Sequence, residues 1–127
     1  YEFQFHTDDG GTTVYLSELT RPRNYFTNPL FVNSADDVDD TAEISLVTSI
    51  STFDTAAAET ATLADGAEGQ IKYLAMTNYG GNMVVTVDNP GWGGAGTITL
   101  NATGDGCTLL FTSGAWFCVG NNSCVFA

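Results

Sequence analysis

The sequence predicts an all-β domain: an antiparallel β-sandwich or a jelly-roll-like barrel with an extended N-terminal arm. Short segments rich in Val, Ile, Thr and aromatic residues recur through residues 42–127, and Gly, Asn and Asp turns separate them about every 8 to 12 residues. These segments carry almost no charge. The one helix-tolerant stretch, residues 56–60, is too short for more than a turn of helix because helix nucleation is costly.

The composition of the chain changes near residue 40. Residues 1–40 hold two of the three prolines, both arginines and eight of the fifteen carboxylates, so we expect them to form an extended arm or peripheral strands. Residues 41–127 are expected to form the β-sandwich body. The whole chain, at 127 residues, has the size of one domain. Because residue 1 is Tyr and not Met, we expect a processed or truncated start.

Strands are predicted in both parts. In the arm, Phe3 and Phe5 alternate with polar residues, and a short apolar run covers 14–16. The predicted body strands cover residues 42–53, 61–64, 70–77, 83–87, 97–100, 108–112, 115–119 and 124–127. Within 70–77, Ile71, Tyr73 and Ala75 share one face. The chain has no exact internal repeat, so a solenoid is not expected.

The charge of the chain argues against two classes of partner. Its fifteen Asp and Glu residues are balanced by only three cations, Arg21, Arg23 and Lys72, which leaves a net charge of −12. Nucleic acids and anionic membranes attract proteins through clustered Lys and Arg, so we expect neither as a partner. The simplest role of the negative charge is solubility, because like charges keep neighbouring molecules apart.

The three cysteines, Cys107, Cys118 and Cys124, do not predict a disulfide framework, because their number is odd and a chain of this length does not need one. Residues 120–123 predict a tight turn. Across it, Cys118 and Cys124 would face each other if the loop has three residues, or lie diagonally if it has two. We expect three small buried thiols in a reducing compartment.

The sequence shows no catalytic set, and we expect a protein that is not an enzyme and needs no cofactor. A nucleophile needs a base held against it, and the only histidine, His6, lies in the predicted arm. A glycosidase-type pair of carboxylates is not expected either, because the acidic residues lie at turns and in one linker. The chain contains no nucleophile-elbow, phosphate-loop or zinc-protease motif.

Two binding sites remain as alternatives to structural roles. Calcium prefers hard oxygen ligands, which an acidic run could supply, although its spacing does not match an EF-hand loop. The residues of this run are Asp36, Asp37, Asp39 and Asp40. A solvated acidic linker is the favoured interpretation. Trp92 lies in a Gly-rich loop, where its ring would offer a platform for a sugar or would fold back against the end of the barrel. Packing is favoured there too.

About half of the chain resembles a known type of module. The order of motifs over residues 62–126 is similar to a module that recurs in tailed-phage virion proteins, notably of marine and cyanobacterial phages. The pattern is L-x-D-G-x-x-G-Q-x-K, followed by T-I-T-L, G-D-x-x-x-L and G-x-W-x-x-x-G. The matching positions are Leu63, Asp65, Gly66, Gly69, Gln70, Lys72, residues 97–100, Gly104, Asp105, Leu109, Gly114, Trp116 and Gly120.

The resemblance implies a capsid decoration or cement protein on the outer surface of a virion, where it would bridge capsid subunits and stabilise the head. Its partner would be the major capsid protein, and its body would form a homo-oligomer, expected to be a trimer. Capsid contacts would come from the arm, through Tyr1, Phe3, Phe5, Arg21, Arg23, Tyr25 and Phe26. The runner-up is a fibre or spike module that binds host surface glycans. A secreted carbohydrate-binding module is the third interpretation.

Overall fold

The computed structural model of the protein describes Phe3–Phe5, Val14–Leu16, Val32 and residues 35–127. The chain divides into two compact units, Tyr1–Phe31 and Val32–Ala127. None of the described segments is a helix of the length and apolarity needed to cross a membrane.

In the first unit, two short strands pair with each other. Strand β1 (Phe3–Phe5) runs antiparallel to β2 (Val14–Leu16), with Phe3 opposite Leu16 and Phe5 opposite Val14. Both strands predicted for the arm are therefore confirmed. The other residues of this unit, and with them the predicted extended path of the arm, lie outside the described residues.

The second unit is a sandwich of two five-stranded sheets. Its strands are β3 (Asp36–Asp37), β4 (Ala42–Glu43), β5 (Ile50–Asp54), β6 (Glu59–Leu63), β7 (Ile71–Asn78), β8 (Met83–Val87), β9 (Thr97–Leu100), β10 (Gly106–Thr112), β11 (Ala115–Asn122) and β12 (Val125–Phe126). Sheet I has the strand order β11-β10-β7-β5-β3, and sheet II has the order β12-β9-β8-β6-β4. The predicted all-β sandwich is confirmed, and the sheets do not close into a barrel.

The sheets are mixed, so the prediction of an antiparallel sandwich is wrong in this respect. From β3 to β8 the chain alternates between the sheets, and β3, β5 and β7 run parallel in sheet I while β4, β6 and β8 run parallel in sheet II. These strands make three turns of a flattened coil, although the sequence shows no exact repeat. The last four strands pair antiparallel with their neighbours: β9 with β8 and β12 with β9 in sheet II, and β10 with β7 and β11 with β10 in sheet I.

Short arches carry the chain between the sheets and stack on one another. Residues 55–58 link β5 to β6, and residues 79–82 link β7 to β8. The buried hydroxyl of Thr55 joins these arches, because it donates to Gly81 O at 2.7 Å and accepts from the Gly81 N–H at 3.2 Å. A Cβ on Gly81 would lie 2.2 Å from the carbonyl carbon of Ala57. The stacking of the arches therefore requires glycine at this position.

The first strands of the sandwich differ from those predicted. Residues 42–53 do not form one strand, because residues 44–49 form an arch that crosses from β4 in sheet II to β5 in sheet I. The sandwich also begins before residue 41, since the acidic residues Asp36 and Asp37 form β3. Ser and Thr residues fill both the arch and the strands around it, so composition does not separate them.

The end of the chain also departs from the prediction. Residues 120–123 do not form a hairpin turn, because β11 continues to Asn122 and the following β12 pairs with β9 in sheet II. Cys118 and Cys124 therefore do not face each other across a hairpin. A turn signal marks where a chain changes direction, but it does not specify whether the next strand pairs beside the previous one or crosses the core.

The core lies between the two sheets and is built from alternate residues of their strands. Burial alternates along β8 and β10, as expected when successive side chains point to opposite faces of a sheet. Among the side chains at most 2% exposed are Phe53, Leu63, Leu74, Met76, Met83, Val85, Ile98, Leu100, Leu109 and Trp116. This dry interior fixes which face of each strand is left for other contacts.

The stacked arches provide a first prediction. We expect Gly81→Ala to lower the free energy of unfolding by about 1–3 kcal/mol, because the added methyl group must displace the backbone of residues 57 and 58. Urea denaturation monitored by tryptophan fluorescence measures the change. The matched control is Gly93→Ala, since no atom lies within 4 Å of a Cβ at Gly93. Equal stability of the two variants would contradict the proposed role of the close approach.

Candidate functional site

The sandwich contains one buried cation, Lys72. It is the only lysine of the chain, points inward from β7 and is 0% exposed. Its ammonium group donates hydrogen bonds to Ser45 O at 2.7 Å, Thr48 O at 2.8 Å and Thr48 Oγ1 at 3.3 Å. These bonds use all three protons of the ammonium group. The carboxylate oxygen Oδ1 of Asp36 lies 3.8 Å away and supplies the opposite charge.

Asp36 completes this network from β3. Its Oδ1 accepts a short hydrogen bond from Thr48 Oγ1 and another, of 2.8 Å, from Ser51 Oγ. Burial raises the pKa of Asp36, but the hydrogen bonds of Thr48 and Ser51 and the charge of Lys72 outweigh it, so the pKa lies below its usual value. Burial lowers the pKa of Lys72, and the attraction of Asp36 opposes that shift.

The Lys72 network is a structural device. In the part of the chain that the structure describes, no buried side-chain nitrogen or oxygen lacks a hydrogen-bond partner, so the network offers no unpaired group to a ligand. Sequence reasoning missed it and counted Lys72 as one of three cations and a motif position. A signal was present: Leu74 and Met76 share the face of β7 that carries Lys72, and both are buried.

The four aspartates considered for calcium do not converge. Asp36 is committed to the Lys72 network, and Asp37, the next residue of β3, is exposed. Asp39 is exposed as well, while Asp40 accepts a hydrogen bond from the Thr60 N–H at 2.8 Å. Among residues 32 and 35–127, no group of three or more His, Cys, Asp or Glu side chains could hold a metal ion. Calcium binding by this acidic run stays a prediction.

Positions of the sequence motif over residues 63–120 stabilise turns and arches. The indole N–H of Trp116 donates to Ala64 O at 2.9 Å, and its ring leaves no space for a side chain at Gly66, where a Cβ would lie 2.7 Å away. Asp105 accepts hydrogen bonds from the Asn101 and Ala102 N–H groups at 2.8 and 3.0 Å and so closes the turn before β10. The motif thus encodes this scaffold.

Trp92 packs against the end of the sandwich. Its half-buried ring meets Phe126 edge to face, with ring centroids 4.9 Å apart, and joins the rim of the hydrophobic core. Its indole N–H donates to Ala127 O at 3.3 Å. These contacts agree with the interpretation that Trp92 packs against the body of the protein. Glycan binding by Trp92 stays a prediction.

The cysteines occupy two kinds of environment. All three are free thiols, and Cys107 and Cys124 are buried as expected. The expectation is wrong for Cys118, which is exposed. Cys118 lies in β11 next to an irregularity in the pairing with β10, where the register shifts between Thr108 and Leu109. The regular alternation of inward and outward side chains is lost there.

The outer side of sheet I carries an exposed cluster that we call the apolar face: Ile50, Ile71, Tyr73, Leu110 and Phe117. Ile71, Tyr73 and Phe117 are 44%, 40% and 39% exposed. Strand register places the members side by side, since Leu110 lies opposite both Ile71 and Phe117, and Tyr73 lies opposite Ile50. The shared face of Ile71, Tyr73 and Ala75 noted in the sequence is thus the outward one.

A shallow groove adjoins the apolar face. It encloses about 430 Å³ between β7, β10 and the end of β11. Tyr73 and Thr108 border it, and Gly106 and Gly120 leave it open because they have no side chain. The groove holds no convergent set of charged groups; its lining residues are neutral. Its shape suits an apolar or aromatic group of a partner more than a charged substrate.

The charges of the described residues surround the apolar face without entering it. Lys72 is the only cation from residue 35 onward, and it is buried. Asp36 and Asp37 form β3 at the edge of sheet I. The other carboxylates lie in arches and turns or at strand ends, at Asp39, Asp40, Glu43, Asp54, Glu59, Asp65, Glu68, Asp88 and Asp105. The outward side of sheet II, by contrast, presents hydroxyl groups, for example those of Thr60, Thr62 and Thr86. The apolar face is therefore the candidate interaction surface.

The predicted arm contacts are not located. The side chains of Tyr1, Phe3, Phe5, Arg21, Arg23, Tyr25 and Phe26 lie outside the described residues. Comparison with known proteins adds no assignment: no protein-family model matches the chain, and a search of curated protein sequences finds no significant match.

The Asp36–Lys72 pair makes the stability of the protein sensitive to acid. The pKa of Asp36 is lower in the folded than in the unfolded chain, so its contribution is present above the unfolded value of about 3.9 and is lost as the pH falls through the folded value. We expect Asp36→Asn to be less stable at neutral pH and to lose less stability on acidification. Urea midpoints measured from neutral pH down to strong acid test this.

The control for this experiment is Asp37→Asn, which removes a neighbouring charge on β3 without a contact to Lys72. Asp37→Asn should lose as much stability on acidification as the wild type does. Parallel pH profiles for the wild type and Asp36→Asn would contradict the assigned role of Asp36.

Proposed function

We propose that this chain is a virion structural protein, a capsid decoration or cement protein whose sandwich body associates with copies of itself through the apolar face. The observation that carries the proposal is an uncharged apolar sheet face on a protein of net charge −12. Monomeric proteins rarely expose contiguous apolar surface without a function for it.

The distribution of charge permits a second copy of the chain as the occupant of this face. Identical copies of the sandwich repel each other wherever their carboxylates approach, and no exposed cation from residue 35 onward relieves this repulsion. The apolar face lets two copies meet with the carboxylates kept at the rim. Closed symmetric oligomers are the usual outcome of such self-association, and a trimer is the proposed state.

The remaining parts of the proposal rest on the sequence resemblance. The major capsid protein is the proposed partner, the outer capsid surface is the proposed location, and the aromatic and basic residues of the arm are the proposed contacts. A protein with this role needs no catalysis. It stabilises a joint between subunits by burying apolar area at roughly 25 cal/mol per Å² in each copy. The many scaffold contacts of the motif positions fit a passive mechanical role.

A fibre or spike module that binds host glycans is the second candidate. It would need an aromatic platform open to a sugar ring. Trp92 is occupied on one side by Phe126 and Ala127, so this candidate has less support than the first.

The copy number of the protein in purified virions tests the proposed function. We expect hundreds of copies per particle, bound to the head, because a decoration protein follows the repeated capsid lattice. Quantitative mass spectrometry against the major capsid protein measures the ratio. A few copies, or a dozen, would contradict a decoration role and would favour a fibre.

The apolar face is tested by charge substitution. We expect Tyr73→Glu to convert the oligomer of the purified protein to monomers, because it adds a carboxylate to a surface buried between like-charged copies. Sedimentation velocity at matched concentrations measures the change. The control is Thr86→Glu, at an exposed position on the outer side of sheet II. A wild type that is monomeric throughout, or an oligomer unchanged by Tyr73→Glu, would rule out self-association through this face.

A further inference from the structure

Cys107 and Cys124 lie at positions that the strand pairing brings into register. Gly106 forms a parallel bridge with Ser123, so the residues that follow them, Cys107 and Cys124, are the next positions along the two segments. A disulfide bond can join residues whose Cα atoms lie roughly 4.4–6.8 Å apart, a separation that neighbouring positions of two adjoining segments can reach.

The segment that carries Cys124 is held in place by Asn121. The side chain of Asn121 binds Cys124 twice, because its Oδ1 accepts from the Cys124 N–H at 2.9 Å and its Nδ2 donates to Cys124 O at 2.9 Å. Asn121 is itself paired with Cys107 in the antiparallel ladder between β10 and β11. Asn121 therefore fixes the position of the Cys124 segment relative to Cys107.

The side chains of the two cysteines both face the interior of the protein. Both are 6% exposed, and a hydrogen bond from the Cys107 thiol lowers the pKa of Cys124. Cys118 is different, since it is exposed, lies opposite Leu109 and donates its S–H to Gly120 O at 3.4 Å. The pair selected by the fold is therefore not the one that sequence spacing suggests.

We propose that Cys107 and Cys124 form a disulfide bond when the folded protein meets an oxidising environment, and that this bond ties the C-terminal crossing segment to sheet I. The segment leads from β11 in sheet I to β12 in sheet II. The bond would close the stretch of chain between Cys107 and Cys124 into a loop. This closure restricts the unfolded chain and so stabilises the folded one. In a reducing compartment the pair stays as thiols. This inference does not depend on the proposed virion role.

The reaction balances with a small-molecule disulfide as the oxidant. The hydrogen bond from Cys107 holds the pKa of Cys124 below its usual value, which makes Cys124 the attacking thiolate. Attack by Cys124 breaks the S–S bond of the reagent and releases one reagent thiolate. Cys107 then loses its proton to solvent and displaces the second, so two protein thiols are oxidised and one reagent disulfide is reduced.

Treatment of the folded, reduced protein with oxidised glutathione tests the proposal. Peptide mapping without reductant should join the fragment containing Cys107 to the fragment containing Cys124, with Cys118 left as a free thiol or a glutathione adduct. The midpoint of thermal unfolding should rise by several degrees on oxidation and fall back on reduction.

Two variants separate the possible outcomes. Cys118→Ser should keep both the cross-link and the rise in the midpoint, whereas Cys124→Ser should lose both. Should Cys124→Ser fail to fold, the peptide map of Cys118→Ser alone decides the question. A disulfide bond between Cys118 and either Cys107 or Cys124 in the wild type would overturn the proposal, and so would the persistence of free Cys107 and Cys124 thiols after oxidation.

Discussion

The buried ammonium group of Lys72 is the interaction on which the arrangement of the first coil turns depends. A charge in the interior is tolerated only when hydrogen bonds and an opposite charge replace its water. Here the carbonyl groups of Ser45 and Thr48 come from the arch between β4 and β5, and the carboxylate of Asp36 comes from β3. Three segments that are separate in sequence, namely β7, β3 and this arch, must therefore meet at the ammonium group. This requirement fixes the positions of β3 and the arch relative to β7.

The arches extend this constraint along the sandwich. Because β3 to β8 cross between the sheets at every arch, each arch packs on the arch one coil turn before it and must satisfy its backbone groups there. Thr55 does so with its hydroxyl between residues 55–58 and 79–82, and Gln70 does so by donating to Leu46 O at 2.7 Å. Buried polar side chains in this protein thus serve the connections, and the apolar ones fill the space between the sheets.

The candidate interaction surface follows from the same arrangement. Since Lys72, Leu74 and Met76 take the inward positions of β7, Ile71 and Tyr73 must point outward. The two faces of β7 are similarly apolar in sequence. Because Lys72 is charged, the sequence suggests that its face is exposed to solvent, whereas this face is buried. The outward face becomes recognisable as a surface only when Leu110 and Phe117 arrive beside it from β10 and β11.

The all-β class and most strand positions are predictable from the amino-acid pattern alone, because period-2 alternation and Gly, Asn and Asp turns are local signals. Strands β8 and β9 begin and end where the pattern predicts. The sequence also carried the motif of the scaffold, whose Gly66 and Trp116 prove to be packed against each other. Long-range packing alone reveals which strands run parallel, which face of β7 is buried and which cysteines lie in neighbouring positions. These features depend on pairings between residues far apart in sequence. Such pairings must give buried polar groups such as Lys72 their hydrogen-bond partners, and no local sequence pattern shows which partners these are.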